Sequence, residues 1–172
     1  ARGASVTLVS GPVHLTAPAG VSVVPVMSTQ NLYDAMMTHC ASQDVIIQAA
    51  APADYRPAVM APEKLKKQDG QPFVLTLVAK AVGEQKKPGQ ILVGFAAETE
   101  HLLENAQKKL DKKHLDMIVA NDVTQAGAGF GVDTNIVTLI SHQGMKSLPL
   151  LSKTEVADRI LDQVAVLRAQ TH

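Results

Sequence analysis

Ile91-Leu92-Val93-Gly94-Phe95-Ala96, the stretch Thr99 to Lys113, and Asp116-Met117-Ile118-Val119-Ala120 together decide the fold. The first and last pieces are short apolar runs of strand type. Between them Leu102, Leu103, Ala106 and Leu110 recur at helical spacing, so the whole reads as strand, crossover helix and parallel strand. Working outward toward the start, residues 5-10, 22-27 and 44-50 are strand candidates, and Ser28 to Ala41 is a crossover helix with Ser28 or Thr29 as its N-cap. Strands alternating with helices in this way predict an α/β class, a Rossmann-like, mostly parallel sheet flanked by helices.

Beyond Asp133 the pattern changes. Asn135 to Ile140 and a second short strand near Ser147-Leu148-Pro149-Leu150 flank His142-Gln143-Gly144, a hairpin signal. A final helix from about Thr154 carries Val156, Ile160, Leu161, Val164 and Leu167 on one face, a stripe that reads as core. The segment 61-77 fits the sheet less well: Pro62 and the charged run Glu63 to Pro72 precede a lone strand-like Phe73-Val74-Leu75-Thr76-Leu77. It is expected to form a protruding flap or arm.

The 172 residues, 46% of them hydrophobic, suffice for one substantial core, and a single domain is expected. Sixteen basic residues balance sixteen acidic ones, so no global field draws the chain to nucleic acid or a membrane surface. Any anion site must be local. The one cysteine, Cys40, has no partner for a disulfide and reads as a buried, inert thiol. No apolar run approaches the roughly 20 residues that span a bilayer, and no signal peptide opens the chain, so a cytoplasmic protein is expected. Ala1-Arg2-Gly3-Ala4 runs straight into a strand, as the end of a helix cut from something longer would. Upstream residues are expected in the natural protein.

Ligands of open α/β sheets bind outside the carboxyl ends of the strands. Small residues with isolated polar groups gather there: Ser10-Gly11-Pro12, Gln48-Ala49-Ala50-Ala51 with Asp54 beyond, Phe95-Ala96-Ala97-Glu98, and Ala120-Asn121-Asp122. Small side chains let backbone approach a flat ligand, and a lone amide or carboxylate orients it. A nucleotide pocket fits this pattern as well as tight loop packing does. Lys64, Lys66 and Lys67 read as a solvated charge run or as a lid cation closing on phosphate. Lys109 and Lys113, one turn apart, suit the helix dipole and equally suit a triphosphate. Gly127-Ala128-Gly129-Phe130-Gly131 precedes a strand instead of a helix and so lacks the geometry of a dinucleotide cradle. The six histidines show no metal-ligand spacing.

Four motifs, Ala49-Ala50-Ala51-Pro52-Ala53-Asp54-Tyr55-Arg56-Pro57, Lys64-Leu65-Lys66-Lys67, Gly94-Phe95-Ala96-Ala97-Glu98-Thr99 and Ala120-Asn121-Asp122-Val123, resemble in order and spacing the synthetase domain of the bacterial bifunctional coenzyme A biosynthesis flavoproteins. The opening Gly3 to Val13 matches as well. The resemblance implies a phosphopantothenate–cysteine ligase, an acid–amino-acid ligase using CTP. It would activate 4′-phosphopantothenate as an acyl-cytidylate and couple it to L-cysteine. Carried over, Gln48, Ala49 and Ala50 line the nucleotide site, Asp54 reads cytosine or ribose, and Phe95 packs near the nucleotide. Lys109 and Lys113 bind phosphates, and Lys64 is the catalytic lysine. Mg2+ would travel with CTP, with no metal site of the protein's own. FMN would belong only to a decarboxylase domain fused to or associated with this one. The family also implies a homodimer, with the arm at 61-77 as its contributor.

Two departures stand out. The family's glycine-rich N-terminal segment would precede Ala1, and a Lys-Asn-Pro-Asp-Ile-like stretch is missing near Val78-Ala79-Lys80-Ala81-Val82-Gly83. The alternative reading is therefore a non-catalytic nucleotide-binding module of the same fold. A dehydrogenase-like domain is disfavoured, because no glycine fingerprint opens a helix after the first strand.

Overall fold

The computed structural model describes residues 2–50, 78–98, 102–122 and 131–171. They fall into two compact units, one holding residues 1–40 and 52–78, the other residues 41–51 and 79–172.

In the first unit β1 (Val6–Ser10) pairs in parallel with β2 (Val21–Pro25), Val6 opposite Val21 and Leu8 opposite Val23. Helix α1 (Thr29–Cys40) follows. Ser28 is its N-cap: its Oγ accepts the Asn31 N–H at 3.1 Å while its carbonyl accepts the Leu32 N–H at 2.9 Å. Cys40 closes the helix as a buried free thiol, as expected from sequence.

The second unit is built on a five-stranded sheet in the order β3-β4-β5-β7-β8. β3 (Val45–Gln48), β4 (Ile91–Glu98) and β5 (Met117–Asp122) run parallel. β7 (Val137–Ser141) turns antiparallel to β5, and β8 (Gly144–Ser147) pairs with β7 through the two-residue loop His142-Gln143. The α/β class and the mostly parallel sheet stand as read. The hairpin stands too, with its second strand earlier than the 147–150 expected. All four residues of β8 are exposed, so this edge strand carries no apolar alternation from which to read it. Two-residue strands β6 (Thr134–Asn135) and β9 (Leu151–Ser152) pair separately.

Alternation along the strands divides the core. Ile91, Val93, Met117, Val119, Val137 and Leu139 face helix α4 (Lys153–Thr171), which buries Val156, Ile160, Val164 and Leu167 against them. The stripe expected from sequence is that face. Ser152 and Glu155 start this helix with a capping box: the Glu155 carboxylate accepts from the Ser152 N–H at 2.9 Å, and Ser152 Oγ accepts the Glu155 N–H at 3.2 Å. Leu92, Ile118 and Ile140 point the other way, toward the side of α2 (Val78–Gln85) and α3 (Leu102–Lys112), where Val82, Ala106 and Leu110 are fully buried.

Helix α3 ends in a Schellman turn. The Leu115 N–H reaches the Leu110 carbonyl at 3.0 Å, the His114 N–H reaches that of Asp111 at 3.3 Å, and His114 holds the left-handed position with φ 53°. The α2 helix lies so close to this turn that a Cβ on Gly83 would sit 3.0 Å from the Lys113 carbonyl carbon. Lys86, just past α2, fastens the same corner. Its Nζ lies 2.7 Å from both oxygens of Asp116 and 3.2 Å from the His114 carbonyl, while Asp116 Oδ2 accepts the Leu92 N–H at 2.6 Å.

Candidate functional site

The carboxyl ends of β3, β4 and β5 are staggered. β3 ends at Gln48, opposite Gly94. β4 continues to Glu98 beside β5, which carries Asn121 opposite Ala97 and Asp122 opposite Glu98. Among the described residues Phe95 to Glu98 therefore have no partner on the β3 side, and Gln48, Ala49 and Ala50 border the step this leaves. Phe95, aromatic and at the step, is 40% exposed. An apolar ring beside unpaired strand backbone suits a flat ligand that stacks on one and hydrogen-bonds to the other.

Two side-chain atoms of this unit carry the electrostatic signature of the site. Gln48 Oε1 and Asn121 Oδ1 are buried and accept no hydrogen bond. Each costs about 1–3 kcal/mol while it lacks a donor, and a bound ligand can return that. Asn121 was not singled out from sequence, although the stretch holding it was. An amide side chain at the last positions of a parallel strand was the available signal.

Of the residues singled out from sequence, Gln48, Ala49, Ala50 and Phe95 stand at the carboxyl ends of β3 and β4, Gln48 on the sheet face of Leu92 and Phe95 on the face of Val93. Asp54 and Lys64 lie outside the described residues, as do the arm at 61-77 and residues 123–130 of the glycine-rich loop. Lys109 belongs to α3, and Lys113 follows its last residue. The α3 helix leaves the carboxyl end of β4 and descends to the amino end of β5, so at 1.5 Å per residue Lys109 is about 10 Å and Lys113 about 16 Å along it from Leu102. The two do succeed one another on the helix, the Lys113 N–H bonding the Lys109 carbonyl at 3.1 Å. Lys108 is engaged with Glu104 at 2.7 Å, and that bond holds the exposed Glu104 carboxyl below its usual pKa.

A hollow of about 650 Å³ opens at the opposite, amino end of the strands, lined by Gly83, Lys86, Asp111, His114, Asp116 and His142. Its charges face each other: Lys86 pairs with Asp116, and His142 Nδ1 lies 3.8 Å from Asp111 Oδ1. No unpartnered buried side-chain atom of the described residues lines it, so size alone does not make it the site. The described residues include no group of three or more His, Cys, Asp or Glu side chains able to hold a metal, and no helix long and apolar enough to cross a membrane.

A mostly parallel open sheet with α2 and α3 on one face and α4 on the other defines an α/β protein of the doubly wound kind. Residues 1–167 match the family described as the DNA/pantothenate metabolism flavoprotein C-terminal domain, and the chain belongs to that family. It is 47% identical over 176 aligned residues to the Coenzyme A biosynthesis bifunctional protein CoaBC of Bacillus subtilis (strain 168), covering 98% of this chain and 43% of that protein. With the protein of the same name from Vibrio vulnificus (strain YJ016) it shares 44% identity over 171 residues, 96% of this chain and 43% of the relative. Among solved structures, the crystal structure of the C-terminal domain of a CoaBC protein superposes with a TM-score of 0.78 at 44% identity, over 98% of this chain and 78% of that one. The chain thus spans 43% of the length of these bifunctional relatives.

Proposed function

We propose that this chain is the synthetase part of a coenzyme A biosynthesis protein, a phosphopantothenate–cysteine ligase that uses CTP. The carboxylate of 4′-phosphopantothenate attacks the α-phosphorus of CTP, forming an acyl-cytidylate as pyrophosphate leaves. The amine of L-cysteine then attacks the acyl carbon, the amide forms, and CMP departs. The observation that carries this reading is the pair of unpartnered acceptors, Gln48 Oε1 and Asn121 Oδ1, at the strand ends of a chain of this family.

In this reading Gln48, Ala49 and Ala50 contact the nucleotide where β3 stops, and Phe95 packs against it. The resemblance gives Asp54 the base or ribose and Lys64 the charge that develops on the phosphates, where a cation acts most strongly once water is excluded. Lys109 and Lys113 receive the phosphates on the same ground, and Lys109 lies nearer to the strand ends. Mg2+ travels with the triphosphate, neutralising it; no step is routed through the ion. In the natural protein a decarboxylase part would hold FMN, and two copies would pair through the arm at 61-77.

Calorimetric titration with CTP and, separately, ATP in the presence of magnesium tests the reading, repeated with Lys109→Ala and Lys113→Ala. CTP should bind more tightly than ATP, with Lys109→Ala weakening it more than Lys113→Ala. Absence of binding to either nucleotide, or equal binding of both, refutes CTP use by this chain. CMP release that requires both 4′-phosphopantothenate and cysteine, and that Lys64→Gln abolishes, is the expected turnover result; binding without turnover leaves the non-catalytic module. A monomeric mass in light scattering at micromolar concentration refutes the dimer.

A further inference from the structure

Polar side chains buried in the five-stranded unit otherwise find partners. Gln90 donates to the Gln43 carbonyl and accepts the Lys87 N–H at 2.8 Å, and Ser141 Oγ accepts the Gln143 N–H at 3.3 Å. The exceptions among the described residues of this unit, Gln48 Oε1 and Asn121 Oδ1, both stand at the carboxyl ends of parallel strands. The third such oxygen among the described residues, Gln30 Oε1, belongs to helix α1 of the other unit; carboxyl ends of strands are where open α/β sheets bind ligands.

Gln48 is the sharper case. It is the last residue of β3, and Ala49 and Ala50 after it bear no polar side chain. Its amide is thus the polar side chain that this strand offers at the step. On β4 it stands beside Gly94, which has no side chain to bond to it.

We propose that Gln48 is a specificity-determining residue of the nucleotide site: its side-chain oxygen accepts a hydrogen bond from an N–H or O–H donor of the nucleotide. The inference rests on the nucleotide reading given above. The donor is the amino group of the base or a ribose hydroxyl; both supply the hydrogen that the buried oxygen lacks.

The test uses Gln48→Met, close in length and shape but without the amide. Wild-type and variant chains are titrated with CTP, UTP and 2′-deoxy-CTP, and each is unfolded thermally without nucleotide. The variant is expected to bind CTP about tenfold more weakly, the worth of one buried hydrogen bond, and to melt at a higher temperature once the orphaned oxygen is gone. If the base amino group is the donor, the wild type prefers CTP over UTP and the variant does not. If the ribose hydroxyl is the donor, 2′-deoxy-CTP binds the wild type weakly and the variant keeps its CTP-over-UTP ratio. Unchanged CTP affinity in the variant overturns the inference alone. So does a lower melting temperature, which would mean that Gln48 makes a structural bond. A wild type that binds none of the three nucleotides overturns the nucleotide reading and this inference with it.

Discussion

Gly83→Ala in helix α2 should destabilise the protein, against the ordinary direction of that substitution. In an exposed helix interior, alanine in place of glycine gains about 1 kcal/mol. Here the new methyl would lie well inside contact distance of the Lys113 carbonyl oxygen, 3.0 Å from its carbon and 3.3 Å from His114 Cβ. The oxygen and carbon are backbone, and no rotamer change can move them. The turn they belong to is held by the Schellman bonds at Leu115 and His114 and by Lys86 on the His114 carbonyl. Relief therefore requires α2, which carries the fully buried Val82, to shift away from the turn that follows α3. Overpacking of this kind costs about 1–3 kcal/mol, and rigid backbone opposite the methyl argues for the upper end. Less the propensity gain of about 1 kcal/mol, a net loss of about 2 kcal/mol is expected. Urea unfolding followed by far-ultraviolet circular dichroism should show a lower midpoint with an unchanged slope. Lys80→Ala in the same helix, which loses only an exposed pairing with Glu84 at 3.5 Å, should stay within about 0.5 kcal/mol of wild type. A Gly83→Ala protein as stable as wild type, or more so, refutes the close approach of the two helices.

Three further outcomes follow from the same structure. Asp116→Ala strips the acceptor from the buried Leu92 N–H and the partner from Lys86, both side chains of the pair being about one-fifth to one-quarter exposed; a loss of about 2–3 kcal/mol in urea unfolding is expected, and Asp116→Asn, which keeps an acceptor for Leu92, should cost less than half of that. His114→Gly removes a side chain from a left-handed position and should stabilise the protein by about 0.5 kcal/mol, read as a higher urea midpoint, the backbone relief exceeding the added freedom of the unfolded chain; a lower midpoint would show that the imidazole holds the turn. Ser152→Ala should cost about 1 kcal/mol as a lost N-cap. The hydrogen bonds from Ser152 also hold the Glu155 carboxyl below its usual pKa, so this cap's contribution is complete above the ordinary glutamate range and lost as pH falls through the lowered folded value. A urea midpoint whose acid dependence is the same with and without Ser152 refutes that coupling.

What was legible in the sequence followed from periodicity. The strands at 91-96 and 116-120 and the helix between them were readable because β-branched runs and the Leu102–Ala106–Leu110 spacing answer to one buried face each. The α4 stripe was readable for the same reason. Helix α2 was missed: it has only eight residues, and Gly83 inside it argues locally against a helix. Its reason, the approach of Lys113, is a contact across thirty positions that no local window contains. Strand β8 was misplaced because an exposed edge leaves no pattern. At the strand ends, Gln48 and Phe95 were marked by their position in the sequence, whereas the buried, unpartnered oxygen of Asn121 shows only in three dimensions. Charge and spacing left Lys109 and Lys113 open between a helix-dipole and a phosphate role, because they do not say at which end of the sheet a helix terminates.

The two ends of the parallel strands are finished in opposite ways, and this is a physical argument about where binding occurs. At the amino end every polar group that the corner exposes to the interior is consumed. Lys86 spans Asp116 and the His114 carbonyl, Asp116 takes the Leu92 N–H and returns its own to the Leu92 carbonyl at 2.9 Å, and Gln90 ties the strand entry to Gln43. Such saturation, with backbone packed to the limit at Gly83, fixes β4 and β5 in register and leaves nothing for a ligand to complete. At the carboxyl end β3 stops short, β4 runs on without a partner on that side among the described residues, and two amide oxygens are buried without donors among them. A folded chain retains that cost where something outside it removes the cost, and the rigidity of the far end keeps the unfilled positions fixed relative to one another. The described residues thus keep their paired charges around the amino-end hollow and their two unpartnered acceptors at the carboxyl ends of the strands.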